Sequence, residues 1–399
     1  MERTYCPLCG NANIHYEGTM KYIDLLNGIG DKVYNQKIAS CPVCNMAWSQ
    51  NTMNIEDLDN YYKFLSKYES TDTVMESDYS AQAMFARQKE FIDGIIEKYD
   101  SVFEIGAATG ENLNLYKEAG KTVVGVEPSS NNKIYAKQKY GIKLYDMTLD
   151  KYYDQHGCRE QYDLVFISHV LEHIVNFVEF IEKAAAISRK YIFIELPILE
   201  EMEKEEAPFA AFTNEHVNYF SIPSLKLLMT KCGCSLVKCS IAENSGGSIL
   251  PGYPTLVSLW KVRCCSKNVA KVEHEYSASE IIQDYIKVNS MKIKRIQAII
   301  ETITKEEKLA VWGTGEHTSK LLAMTDLSSK NIIKFYDSDK KKKGMSMIGR
   351  EVQPFDVRDI EGGVIETILI STYSSEKSIR KYIDSLQIDK PVRIIQLYS

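Results

Sequence analysis

Three short apolar runs, each cut off by a glycine, an acid or a histidine where a ligand-binding strand ends, constrain this chain more than its size or composition does. Ser101–Ile105 is apolar, stops at Gly106 and reads as a buried strand. Gly106 and Gly110 bracket a turn, because glycine lets a backbone approach a ligand with no Cβ in the way. Glu111–Ala119 then reads as a helix closed by Gly120. Val123–Val126 is a second buried strand with Glu127 at its carboxyl end, and Asp163–Ile167 is another, followed by Ser168-His169. This order builds a doubly wound α/β sheet, in which ligands bind outside the carboxyl ends of the strands and an acid there accepts hydrogen bonds from a ribose diol.

The turn lacks the G-x-G-x-x-G spacing that opens a helix onto a pyrophosphate. It carries Glu104 two residues before its first glycine, and has Ala108 in the middle. An anion at Glu104 suits the sulfonium and amino group of S-adenosylmethionine (SAM); a Rossmann-like sheet without cofactor is the competing reading. Leu171-Glu172-His173-Ile174 follows the Asp163–Ile167 strand and leads into a helix through Ser188. Together these residues resemble the class I SAM-dependent methyltransferases, many of which have "LEHI" after the fourth strand. The resemblance implies a seven-stranded sheet and a SAM site formed by Glu104, Gly106, Ala108, Gly110, Glu127 and His169. It also implies an acid after the third strand on the adenine amino group. Asp146, just past Ile142–Tyr145, stands there, with a plain loop acid as the alternative. Tyr191–Leu196, a helix over Ser221–Lys231 capped by Ser221, Cys234–Ile241 and an antiparallel Thr255–Val262 complete the expected sheet.

A chain of 399 residues is expected to form two to four domains. No apolar run approaches the roughly 18 residues of a membrane span, and Met1-Glu2-Arg3-Thr4 is not a signal peptide, so a cytoplasmic location is expected. The net charge of −6 offers no footprint for nucleic acid. Among ten cysteines, Cys6-Pro7-Leu8-Cys9 and Cys41-Pro42-Val43-Cys44 stand apart as two CxxC knuckles. Each sets two thiolates on one side of a tight turn, and together they make a closed four-cysteine site for a structural Zn2+. A redox-active disulfide pair is the alternative. Zinc ribbons often bind nucleic acid, but between Met1 and Gln50 the cations Arg3, Lys21, Lys32 and Lys37 are cancelled by Glu2, Glu17, Asp24 and Asp31.

Lys308–Gly315 begins a second strand–glycine–helix unit, and Ile332–Tyr336 is its next strand, ending at Asp337. Thr367–Ile370 and Val392–Gln396 read as further strands of a small Rossmann-like domain. Domain limits of 1–75 (zinc), 76–265 (methyltransferase), 266–307 (helical linker) and 308–399 (Rossmann-like) follow. This arrangement resembles the sugar C-methyltransferases acting on nucleotide-linked deoxysugars. The similarity is carried by Cys41-x-x-Cys44, by Glu215-His216-Val217-Asn218-Tyr219-Phe220-Ser221, which is similar to the family's "EHLSYF", by Gly246-Gly247-Ser248 and by Asp337-x-Asp339-Lys340…Gly344. The family's usual Tyr-His before Glu-His is Thr213-Asn214 here. The resemblance implies a nucleotide-sugar acceptor and no nucleic-acid or membrane partner. His216 is the first candidate general base, Glu215 its orienting partner, and His169 the second candidate; His173 reads as a packed histidine. Carbon or oxygen as the methylated atom, an RNA methyltransferase, and a non-catalytic SAM-fold module remain as alternatives.

Overall fold

The structure is a computed structural model that describes residues 2–23, 29–30, 33–52, 79–204, 207–213, 215–243, 254–262 and 276–398. The Gly246–Ser248 segment and Asn214 lie outside the described residues. Two compact units form. One comprises Met1–Gly18, Lys37–Lys204 and Asn214–Gln283; the other comprises Thr19–Gln36, Glu205–Thr213 and Asp284–Ser399.

The first unit is built on seven strands: β1 (Ser101–Ile105), β2 (Thr122–Val126), β3 (Lys143–Tyr145), β4 (Tyr162–Ser168), β5 (Ser188–Pro197), β6 (Cys234–Glu243) and β7 (Pro254–Val262). Their order is β6-β7-β5-β4-β1-β2-β3. All neighbours are parallel except β7, which runs antiparallel to both β5 and β6. This is the class I methyltransferase α/β fold. Successive side chains of a strand face opposite ways, and here both ways are dry. Phe103, Ile105, Val165 and Ile167 enter one core cluster, while Val102, Leu164 and Phe166 enter another. Strands buried on both faces read as continuous apolar runs, which is why β1 and β4 are so visible in the sequence.

The helices of this unit are α1 (Tyr79–Asp93), α2 (Glu111–Glu118), α3 (Ser130–Tyr140), α4 (Leu149–His156), α5 (Phe177–Ile187) and α6 (Ile222–Lys231). Gly110 precedes α2 at φ 76°. Ser129 and Thr148 cap α3 and α4, and Ser221 with Ser224 forms a reciprocal capping box on α6. The acidic run after β5 is tied down at its start: Leu199–Lys204 is a 3-10 turn, and Glu200 accepts the Ile222 N–H at 2.8 Å.

A second, four-stranded sheet orders His15–Ile23, Val33–Ser40, Ala47–Ser49 and Asn218–Tyr219. Its last strand belongs to the Glu215–Ser221 segment and pairs Asn218 with Trp48 and Tyr219 with Ala47. The cysteine segment therefore packs into the same core as the large sheet, with Cys6, Leu8, Cys44 and Trp48 beside Phe220 and Leu225.

The other unit holds a seven-stranded sheet in the order Arg393–Ile395, Thr367–Ile370, Leu309–Trp312, Ile332–Tyr336, Arg350–Gln353, Ser346–Met347, Ile29–Gly30. Its first four strands are parallel. The helix Ala278–Glu301 lies within residues 266–307, expected as a helical linker. No described helix is long and apolar enough to cross a membrane.

Candidate active site

The carboxyl ends of β1, β2 and β4 bring most of the expected site residues to one edge. Gly106 has φ 75°, and a Cβ there would sit 2.6 Å from Val170 Cγ2, so only glycine fits. Ala108 is itself left-handed at φ 42°. Its N–H donates to Glu127 Oε2 at 2.9 Å, and the Ser129 N–H donates to Oε1 at 3.0 Å. Glu127 thus ties the turn after β1 to the turn after β2. Burial raises its carboxyl above the usual range, against the opposing pull of these N–H groups and Asn132.

Glu104 is buried on β1. Asn112 Nδ2 donates to its Oε1 at 2.8 Å, while Oε2 has no hydrogen-bond partner. Burial pushes this carboxyl up to about 8, with Asn112 opposing and Glu127 adding. An orphaned buried carboxylate oxygen and a turn open to close backbone approach fit the cationic end of SAM. Asp146 is set apart from Glu104: it lies exposed beyond β3, paired with Lys133 at 2.7 Å, which lowers its carboxyl.

After β4 the chain does something sequence periodicity missed. His169 takes φ 53°, and its N–H donates to Glu195 O at 2.9 Å. Leu171–His173 then forms a separate 3-10 turn, and α5 starts only at Phe177. Asn218 explains the break. Its Nδ2 donates to Leu171 O at 3.2 Å and to Ile174 O at 2.7 Å, carbonyls that a continuous helix would use internally. The Val217 N–H also donates to Glu172 O at 3.0 Å. These bonds clip the Glu215–Phe220 segment onto the turn. Arg3 completes the clip, donating to Ser49 O and to Asn218 Oδ1.

The result is a cluster. The rings of His173 and His216 lie 4.8 Å apart, edge to face. His173 Nδ1 donates to Glu215 O at 3.1 Å. Glu172, buried, stands between His169 Nδ1 at 3.5 Å and His173 Nε2 at 3.9 Å. Burial would raise the Glu172 carboxyl, but His169, His173 and His216 outweigh it and hold the group down at about 2. Burial would likewise lower His169, yet Glu172 and Glu195 raise it on balance, with Arg87 opposing. His216 and Glu215 are therefore brought beside His173 and Glu172, with His169 adjoining. A second polar network was not foreseen. Arg87 and Gln88 of α1 and Thr255 of β7 all donate to the buried Glu195, at 2.8, 2.7 and 2.6 Å. An acid inside the apolar run of β5 was the only signal for it.

The four cysteines also converge. Cys6 Sγ lies 3.4 Å from Cys44 Sγ, and Cys9 Sγ lies 3.5 Å from Cys41 Sγ. All four sulfurs lie within 4.8 Å of one another. Each knuckle closes on a left-handed residue, Gly10 at φ 77° and Asn45 at φ 59°. Zn–S bonds of ~2.3 Å in a tetrahedron put sulfurs roughly 3.8 Å apart, so the donor set fits Zn2+.

Residues 76–238 match the family model of a methyltransferase domain, and residues 305–395 match a model described as "C2185-like, N-terminal". The chain is similar to the C-methyltransferase NovU of Streptomyces niveus, with 21% identity over 360 residues, 86% of this chain and 82% of that protein. An uncharacterized methyltransferase, OB1106 of Oceanobacillus iheyensis, is 31% identical over 96 residues, 24% of this chain and 44% of its own length. Among solved structures, the 1,6-didemethyltoxoflavin-N1-methyltransferase of Burkholderia thailandensis overlaps with TM-score 0.40 and 13% identity, covering 56% of this chain and 97% of that one. The N-methyltransferase NodS of Bradyrhizobium japonicum WM9 overlaps with TM-score 0.38 and 11% identity, covering 49% and 95%. The central sheet is a class I methyltransferase domain, and the chain is a SAM-dependent methyltransferase.

Proposed function

We propose that this enzyme methylates a nucleotide-linked deoxysugar, at a carbon α to a keto group, with His216 as the general base. The observation that carries this reading is the histidine–carboxylate cluster at the carboxyl ends of β4 and β5. Likeness to a C-methyltransferase over 86% of the chain supports it. SAM, when bound, supplies an activated electrophilic methyl group. What the protein must add is alignment, exclusion of water and removal of one proton.

In this reading the ionised form of Glu104 faces the cationic end of SAM, and Glu127 holds the ribose while keeping its bonds to the turn. Gly106, Ala108 and Gly110 give the backbone its close approach. Asp146, already neutralised by Lys133, borders the adenine. His216 is half-buried and receives the proton; Glu215 and His173 fix its position, and His169 is the next acceptor in line. The same base serves a sugar hydroxyl, so an O-methyltransferase is the second reading. It is favoured by the absence of the family's Tyr-His at Thr213-Asn214.

The four-cysteine site holds a structural Zn2+ with no open position. Its task is to keep Arg3 and the strand Ala47–Ser49 against the Glu215–Phe220 segment, and so to hold His216 in place. Incubating the protein with SAM and a pool of nucleotide sugars, and reading the pool by mass spectrometry, tests the substrate: a gain of one methyl on a keto-deoxysugar nucleotide is expected. His216→Ala is expected to lower turnover by about 100-fold or more with SAM affinity unchanged. Unaltered turnover would move the base elsewhere.

A further inference from the structure

The histidine cluster has a second property that goes beyond acid–base work, though it rests on the methyl-transfer reading. Glu172, His173 and His216 bring one ligand atom each within 4.8 Å of one another. Glu172 is 2% exposed, and neither of its carboxylate oxygens accepts a hydrogen bond. Its neighbours His169 Nδ1 at 3.5 Å and His173 Nε2 at 3.9 Å stand at ion-pair distance, close enough to favour its charge but not to saturate its oxygens. A buried carboxylate with both oxygens unsaturated, beside two imidazoles, can take a metal cation.

His173 is already turned for ligation. The Glu215 carbonyl can only accept, so Nδ1 carries the proton and Nε2 presents its lone pair on the side of Glu172. Metal-bound histidines are held by this kind of bond through the other ring nitrogen. His216 is delivered by the Val217 N–H, which fastens its segment to the Glu172 carbonyl at 3.0 Å.

We infer that Glu172, His173 and His216 bind a divalent first-row transition cation whose remaining positions take an oxygen of the methyl acceptor. Two imidazoles and a carboxylate without thiolate suit Mn2+, Fe2+, Co2+ or Zn2+. Three protein ligands leave positions open, unlike the closed four-cysteine site. Bonds of about 2.0–2.2 Å place neighbouring ligand atoms roughly 3 Å apart, so the ligands draw in by about 1 Å. The ion polarises the acceptor oxygen and eases loss of its proton, or of the proton on the adjacent carbon. With the ion bound, His216 is a ligand in place of the base role proposed above, and that proton passes to His169, the second candidate base. The sulfonium–methyl bond breaks with its electron pair left on sulfur, and the acceptor's electron pair forms the new bond to the methyl carbon.

Titrating the zinc-loaded full chain with Mn2+, read by electron paramagnetic resonance, tests this directly, because Mn2+ does not displace zinc from four thiolates. One bound Mn2+ per chain is expected, with spin-echo modulation from two imidazole nitrogens. Glu172→Gln and, because a buried change can unfold the site, the half-buried His216→Asn are each expected to weaken binding at least about tenfold with an unchanged melting curve. No stoichiometric Mn2+ in the wild type, or binding untouched in both variants, overturns the assignment. Calorimetry with SAM on the same samples separates this from the underlying reading: a protein that binds SAM but no Mn2+ loses only the metal site, whereas one that binds no SAM loses the methyltransferase mechanism.

Discussion

The chain uses one turn design twice, once in each unit, and finishes it differently. In the central sheet the Ala108 N–H donates to Glu127 at 2.9 Å; in the C-terminal sheet the Thr314 N–H donates to Asp337 at 2.9 Å. In both, an acid at the end of the second strand fastens the glycine turn after the first. Asp337 then collects more partners. Lys342 lies 2.8 Å away, the Thr314 hydroxyl 2.5 Å, and the Asp339 N–H 3.0 Å. Burial would raise its carboxyl, but Lys342 and Thr314 bring it below the usual range. Among the described residues the hydrogen-bond partners of Glu127 are the neutral Ala108, Ser129 and Asn132, and burial raises it. Two residues before the first glycine stands the partly unsatisfied Glu104 in one turn and apolar Val311 in the other. The same backbone device is left unsaturated where a cationic ligand is expected, and is internally neutralised in the C-terminal sheet.

Removing the acids is the strongest way to break that contrast. Glu127→Ala takes away the proposed ribose contact and leaves the Ala108 and Ser129 N–H groups without their acceptor, so SAM affinity is expected to fall about 100-fold, the effect of losing charge-assisted hydrogen bonds. Asp337→Ala is expected to leave SAM affinity within twofold. Calorimetry on both variants decides; equal losses would erase the distinction. The glycines come next. At Gly106 a Cβ meets Val170 at 2.6 Å under φ 75°, whereas at Gly315 nothing lies within 4 Å and φ is −85°. Gly106→Ala is expected to cost about 2–3 kcal/mol, and Gly315→Ala no more than about 0.5 kcal/mol. Denaturant midpoints of the two variants measure this.

What the sequence revealed and what it hid divide along the same physical line. The strands β1, β2 and β4, the glycine turn and the two cysteine knuckles are local: burial on both faces makes an apolar run, and a left-handed backbone selects glycine at Gly106 and Gly110. The break after His173 is not local. It exists because Asn218, far along the chain, takes the carbonyls of Leu171 and Ile174. The "LEHI" letters suggested a helix start and left Glu172 unremarked, although its side chain is the centre of the cluster. Likewise Arg87 and Gln88 sit on α1, which carries no strong apolar period, and their partner Glu195 lies within a strand that reads as core. Polar groups paired across long sequence separations leave no periodic trace.

Glu104 allows the subtlest test. Its carboxyl titrates near 8 in the folded protein because burial disfavours its charge. Unfolded, it ionises at the ordinary value of about 4.3. Between those two values the native state holds a proton that the unfolded state has released, so this group's contribution to stability is full below about pH 4 and declines as pH rises toward about 8. SAM reverses the preference, since a positive ligand favours the ionised form. Binding should therefore expel a proton at neutral pH and tighten as pH rises, by several-fold between about pH 6.5 and 7.5. Calorimetry in buffers of different ionisation heat counts that proton. Glu104→Gln should bind SAM more weakly, release none and lose the pH slope. A slope that survives in Glu104→Gln would assign the titration to another group and leave the two turns less different than their bonding suggests.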